Sequence, residues 1–506
     1  MSGRAAIDLD LPAHEHARRL RAGEYTARAL ADATIERVRA QEPDLNAYVT
    51  LTEDEARAQA AAADERLRAG DAGPLTGIPI AIKDLLSTKG VRTTAGSRML
   101  ERFVPIVDCT VVARLREAGA VFIGKANLDE FAMGSSTEHS ASGPTRNPWD
   151  LDRVPGGSSG GSAATVAARG VSLSLGTDTG GSIRQPAALC GILGMKPTYG
   201  RVSRFGVIAF ASSLEQVGPF AHDAEDLTNL LAAIAGQDPC DSTTAPVPVP
   251  DYAAGFGRGL DGLRVGVPRE FLIEGLEDGV REAFEQAIDV FAANGAVIDR
   301  DVSLPAVAGA LPAYYIIAPA EASANLARYD GVKYGYSFLE GESMWDEMEQ
   351  TRGRAFGDEV KRRIIIGTYV LSSGYYDAYY KKAQQVRTLI SNDFQRTLAG
   401  VDLLLTPTSP NVAFRLGEKL GDPLAMYLND LLTIPANIAG IPGLSIPCGF
   451  SDGLPVGLQL LGRHFDEGTL LSVAHAYEHH TDWHRRRPPL RSRDAAGIDA
   501  GTERGR

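Results

Sequence analysis

The chain has no apolar run of the roughly 18 residues a membrane helix needs, so no membrane span is expected. No apolar core follows the start either: MSGRAAIDLDLPAHEHARRL reads as mature protein rather than as a secretory leader. Positive charge is in deficit, with 64 acidic residues against 51 basic and a net charge of −13. That sign repels a phosphate backbone, so this chain is not expected to grip nucleic acid unaided. Cysteine is scarce. Cys109, Cys190, Cys240 and Cys448 lie far apart with no CxxC spacing, which excludes structural zinc and points to buried thiols in a reducing, cytoplasmic compartment. No internal repeat at solenoid periods is present.

What remains is a 506-residue chain, 44% hydrophobic and 23% charged, in the range of globular proteins. Residues 26–40 and 53–69 carry helical periodicity. GIPIAIKDL (77–85) is apolar and β-branched around one lysine, as a buried strand is. CTVVARLREAG and AVFIGKANL read as helix then strand, SAATVAARG and VSLSLGT as another such pair, and a further helix runs through Ala187 and Ala188. This alternation predicts an α/β fold with an at least partly parallel sheet. LRVGVP (263–268) and VDLLLTP (401–407) are further strands, GLSIPCGF and LPVGLQLLG a hairpin closed by Asp452–Gly453, and 467–480 a helix.

Three motif matches fail on context. Gly257, Gly259 and Gly262 fit G-x-G-x-x-G but precede a strand, leaving no helix N-terminus for a pyrophosphate. Gly119 to Lys125 fits a P-loop except that Ala126 stands where a hydroxyl must hold magnesium. His475 and His479 share a helix face, but Glu478 is out of the metalloprotease position, so no metal is expected there.

Two Gly-rich turns separated by one helix and one strand, GGSSGGSAA (156–164) and GTDTGGSIRQPAA (176–188), carry the chemistry. Successive backbone N–H groups in such a turn form an anion nest, here Thr179, Gly180 and Gly181. Ser182 at its end can attack a carbonyl while the nest holds the oxyanion. A serine nucleophile needs a base. His139 and His222 are nearest in sequence but sit in no catalytic context, whereas Lys83 would be carried inward by IPIAI and lose its proton by desolvation. GGSSGG also contains G-x-S-x-G around Ser159, but GPTRNPWDLDRVP before it cannot be the strand that a hydrolase elbow requires.

From Gly156 to Pro186 the chain resembles the amidase signature family. The resemblance implies a single large α/β fold with a central mixed, partly parallel sheet covered by helices on both faces. It implies a Ser–Ser–Lys triad of Lys83 as base, Ser158 as bridging serine after a cis peptide, and Ser182 as nucleophile. Residues 194–221, 359–390 and 425–462 resemble one branch of that family, the glutaminase subunits of tRNA-dependent amidotransferases. That branch implies Tyr314, Arg363 and Asp430 as readers of glutamine, with Tyr315 and Arg362 as adjacent alternatives. It implies two further subunits in a heterotrimer, misacylated tRNA handled mainly by a partner, ATP and Mg2+ used by the complex, and no cofactor in this chain. The expected organisation is N-terminal helices in 1–70 packing on a catalytic domain of 71–485. Within that domain 236–252 is a surface loop and 309–395 a helical substrate-binding region; 486–506 is a disordered tail. A stand-alone amidase for small amides keeps the same triad, and a non-enzymatic scaffold is the other rival.

Overall fold

The run 77–85 becomes a strand because every side chain in it can be buried. In the computed structural model, which describes residues 7–490, all five residues of Pro79–Lys83 are buried. Neighbours in a strand point to opposite faces, so continuous burial means that both faces are covered. The same holds for Val121–Ala126 and Leu173–Asp178. The tail expected to be disordered falls, from residue 491 onward, outside the described residues.

The strands are β1 (Tyr48–Leu51), β2 (Pro79–Lys83), β3 (Val121–Ala126), β4 (Leu173–Asp178), β5 (Leu193–Lys196), β6 (Gln216–Ala221), β7 (Arg264–Gly266), β8 (Val297–Asp299), β9 (Leu403–Pro407), β10 (Gly443–Ser451) and β11 (Leu454–Leu461). They form one 11-stranded sheet in the order β1-β3-β2-β4-β6-β5-β10-β11-β9-β7-β8. β2 is parallel to β3 and β4, and β7 to β8 and β9. The remaining pairs are antiparallel, so the sheet is mixed as expected. β10 and β11 turn at Asp452 and Gly453, both at positive φ (51° and 78°), as a two-residue turn with matched twist requires.

Two elements leave little trace in the sequence. Helix Ala13–Arg21 buries Ala13, His16, Ala17 and Leu20 at helical spacing, but only Leu20 among its nine residues is a large apolar side chain, so the stripe does not stand out. β1 has four residues and adds to the sheet edge against β3, between helices Ala27–Leu45 and Glu53–Ala69. Region 309–395 holds helices Ala310–Leu326, Met344–Ala355 and Asp358–Leu371 and the start of Lys382–Gly400. Three of the four cysteines are buried, but Cys240 is exposed because it lies in the proline-rich loop at 236–252. No helix among the described residues is long and apolar enough to cross a membrane.

The parallel pair β2–β4 positions the site. Ile82 pairs with Leu175, so Lys83 at the carboxyl end of β2 stands beside Thr177 and Asp178 at the carboxyl end of β4. In open α/β sheets ligands bind at such strand ends.

Candidate active site

Lys83 is fully buried, and its Nζ lies 2.9 Å from Ser158 Oγ, 2.8 Å from Ser159 Oγ and 2.8 Å from Thr177 Oγ1. Ser159 Oγ donates to the Thr177 carbonyl at 3.1 Å, so toward the lysine it acts as acceptor. Desolvation pushes the Lys83 ammonium down to about 7, against the pull of Asp129, Glu215 and Asp178. The amine is thus available as a neutral base near neutral pH.

Ser158 follows a cis peptide bond from Gly157. The turn is held from several sides. Gly157 N donates to Gln185 Oε1 at 3.0 Å, and Asp129 N to the Ser158 carbonyl at 3.2 Å. The Asp129 carboxylate accepts from the amides of Ser136, Thr137 and His139 at 3.3, 2.8 and 3.1 Å. A Cβ on Gly157 would stand 2.2 Å from Asp129 Oδ2, so only glycine lets the turn and the carboxylate meet. Ser159 opens helix Gly160–Ala167, but no strand leads into it from residue 127 onward, which removes the hydrolase-elbow alternative.

Ser182 sits in the turn between β4 and helix Arg184–Cys190 and is 7% exposed. Among the described residues its hydroxyl makes no hydrogen bond, and the amides of Thr179, Gly180, Gly181 and Ser182 have no protein acceptor. These are the free donors an oxyanion needs. The turn itself is clamped by Asp178, whose carboxylate takes two bonds of 3.0 Å from the buried Arg184 and one of 2.8 Å from Asn437 Nδ2. Arg184 also donates to the Thr433 carbonyl at 2.9 Å, to Gln459 Oε1 at 2.6 Å and to Asn437 Oδ1 at 2.6 Å. Removing one partner of such a buried pair costs about 3–5 kcal/mol. Arg184→Met is therefore expected to lower Tm sharply in a thermal melt and to take activity down with it; an unchanged Tm would show that the pair does not hold the turn.

Tyr314, Arg363 and Asp430 are all buried, at 4%, 3% and 7% exposure. The Tyr314 ring packs over Gly180, where an added Cβ would come within 2.8 Å of it. Arg363 Nε donates to Glu359 Oε1 at 2.7 Å, and its guanidinium lies 5.4–5.5 Å from the ring centres of Phe210, Tyr315 and Tyr427. Tyr427 Oη donates to the same Glu359 oxygen at 2.8 Å. Asp430 Oδ2 accepts from Ser135 Oγ at 2.5 Å. Burial pushes the Asp430 carboxyl up to about 7, against Ser135 and Arg363. Of the adjacent alternatives, Arg362 points outward with a side chain 41% exposed. Tyr315 packs half-buried against Arg363, with its hydroxyl buried and without a hydrogen-bond partner among the described residues.

A model of the amidase family matches residues 29–471. The chain belongs to the amidase signature family. Among curated amidases, the A-subunit of glutamyl-tRNA(Gln) amidotransferase from Chloroflexus aggregans is 62% identical over 472 residues, 93% of this chain and 96% of that one. The protein of that name from Carboxydothermus hydrogenoformans is 57% identical over 481 residues, 95% and 99% of the two chains. Among solved amidases, the glutamyl-tRNA(Gln) amidotransferase A-subunit of Thermotoga maritima is 44% identical with a TM-score of 0.79, covering 94% of this chain and 96% of that one. The peptide amidase of Stenotrophomonas maltophilia is 34% identical with a TM-score of 0.80, covering 95% and 98%. Around this arrangement stand Thr177, Asp129, Gln185 and Glu359, which the sequence does not point to, and Ser159, which it offers only as an elbow nucleophile and not as a partner of Lys83. Only Asp178 and Arg184 left a visible signal, an acid and a base bracketing the Gly-rich turn.

Proposed function

We propose that this chain is the glutamine-hydrolysing subunit of a tRNA-dependent amidotransferase. The observation that carries the reading is the fully buried Lys83 amine among three hydroxyls, at strand ends that also present the Ser182 turn. High identity to amidotransferase A-subunits over nearly the whole chain supports the substrate and the assembly.

Neutral Lys83 accepts the proton of Ser158, which takes that of Ser182. Ser182 Oγ bonds to the side-chain amide carbon of glutamine, and the carbonyl electron pair moves to oxygen. Amides of residues 179–182 donate to this oxyanion, each worth about 3 kcal/mol in the transition state. As it collapses the C–N bond breaks, the departing NH2 takes the proton relayed from Ser182, and ammonia leaves. Water then adds to the acyl-serine by the same relay and glutamate departs. Tyr314, Arg363 and Asp430 hold the α-amino acid end, Arg363 pairing with the carboxylate and Asp430 with the ammonium. Two partner subunits would complete a cytoplasmic heterotrimer. One of them would use ATP and Mg2+ to activate misacylated Glu-tRNA(Gln), or Asp-tRNA(Asn), for the ammonia made here.

Glu359 fixes the Arg363 fork by its Nε, so Glu359→Gln is expected to raise the KM for glutamine about tenfold with little change in kcat. Equal KM in the two proteins would show that the fork is held by its ring cage alone. The reading as a whole is tested by glutamine-dependent transamidation with the reconstituted complex and both misacylated tRNAs. Hydrolysis of small amides without any tRNA-dependent transfer would instead mark a stand-alone amidase.

A further inference from the structure

Where helix Ala13–Arg21 meets the segment that follows helix Glu467–His480, a cavity of about 510 Å3 opens. None of the residues lining it takes part in the catalytic arrangement above. Three of its nitrogen atoms, Arg169 Nε, His222 Nε2 and His484 Nδ1, are buried without a hydrogen-bond partner among the described residues. His222 is only 5% exposed. Arg169 Nε can only donate, so its missing partner must be an acceptor. Arg487 also lines the cavity, and burial first, with the charges of Arg169 and Arg487 beside it, holds the His222 ring neutral.

Three carboxylates of the same cavity, Asp10, Asp223 and Glu478, are already engaged. Asp10 accepts from Arg37 Nη1 at 2.6 Å and from Arg487. Asp223 Oδ1 accepts from Asp226 N at 2.8 Å, and both Glu478 oxygens share Ala224 N at 3.0 and 3.2 Å. Glu225 faces His14 Nε2 at 3.8 Å. His14, Asp223 and Asp226 also lie within reach of a common cation. Asp226 is nonetheless occupied: its two oxygens accept the first amides of a helix, Ala13 N at 2.5 Å and His14 N at 2.7 Å. Arg169 Nε is thus a donor with no acceptor among the described residues, while the Asp10, Asp223 and Glu478 carboxylates already take other donors, so an acceptor is what the cavity lacks. Arg169 further holds its backbone at φ 59°, a region that a side chain of this size rarely adopts.

We propose that this cavity binds a phosphate-type oxyanion, held by Arg169, His222, His484 and Arg487. A tetrahedral oxyanion offers several acceptors to donors arriving from different directions; its charge pairs with Arg169 and Arg487 and favours a protonated His222, whose Nε2 then donates to it. The oxyanion is either a free phosphate or a phosphate group of an RNA strand.

The test is calorimetric titration of the full chain with inorganic phosphate at constant ionic strength, with a parallel thermal melt. Saturable one-site binding and a phosphate-dependent rise in Tm are expected. Arg169→Asn tolerates the positive φ, and Arg487→Gln changes an exposed side chain; each is expected to weaken phosphate binding about tenfold. Glutamine hydrolysis should be unchanged in both, since neither residue touches the catalytic site. No saturable binding to the wild type, or equal binding by the double variant Arg169→Asn/Arg487→Gln, would overturn the proposal. A short single-stranded RNA added to the phosphate-saturated protein separates the two sources. Displacement of phosphate assigns the site to RNA, and an unaltered phosphate isotherm assigns it to the small ion.

Discussion

Ser182→Ala is expected to give a folded protein whose glutamine hydrolysis falls by a factor on the order of 10^4 to 10^6. The two halves of that expectation have separate causes. The Ser182 hydroxyl makes no hydrogen bond among the described residues, so its removal leaves no buried group unpaired and should move stability by no more than about 0.5 kcal/mol. The nucleophile is gone, however, and the neighbouring Thr433 hydroxyl is committed to the Gly180 carbonyl at 2.7 Å. Rapid quench with mass spectrometry should detect an acyl adduct on Ser182 in the wild type and none in the variant. Wild-type activity in Ser182→Ala would remove the mechanism, because every later step passes through the acyl-serine.

Lys83→Met should lower kcat by about 10^3 or more while leaving a stable protein. Methionine matches the length and apolar stem of lysine but can accept no proton from Ser158. The pH behaviour has a definite sign. The folded-state pKa of Lys83 is pushed down to about 7 from 10.5, so the unfolded chain binds more protons between those values. Burying the ammonium costs the fold most below pH 7, and the cost fades as pH rises toward 10.5. Lys83→Met escapes this cost. Its stability advantage should therefore be largest at and below pH 7 and should shrink above it, as denaturant melts at several pH values would record. In the wild type kcat/KM should rise with pH through about 7 as the amine loses its proton. A variant that kept the wild-type rate and pH profile would place the base elsewhere.

Much of the fold was legible because its central strands are short, fully buried apolar runs; β2, β3, β4 and the β10–β11 hairpin needed only burial and a two-residue turn. β1 and helix Ala13–Arg21 were not legible, since four residues at a sheet edge are too few for a pattern and the buried stripe of the helix is made of two alanines, a histidine and a single leucine. Lys83 was legible as a lysine inside an apolar strand, and Ser182 as the end of a Gly-rich turn. Thr177 and Ser159 were not, because their contact with Lys83 Nζ depends on strand pairing and on residues 94 and 76 positions away in the chain. The same is true of Glu359 and Gln185, ordinary polar residues on helices whose importance lies in what packs opposite them. Exposure also separated Arg363 from Arg362, a distinction of helix phase that composition cannot make.

The protonation of Lys83 is the point on which the mechanism turns, and it can be read directly. Nζ-labelled lysine NMR, with the Lys83 signal assigned by its loss in Lys83→Met, follows that amine through a pH titration. A midpoint near 7 is the predicted result. A midpoint near 10, about that of a solvated lysine, would contradict the account.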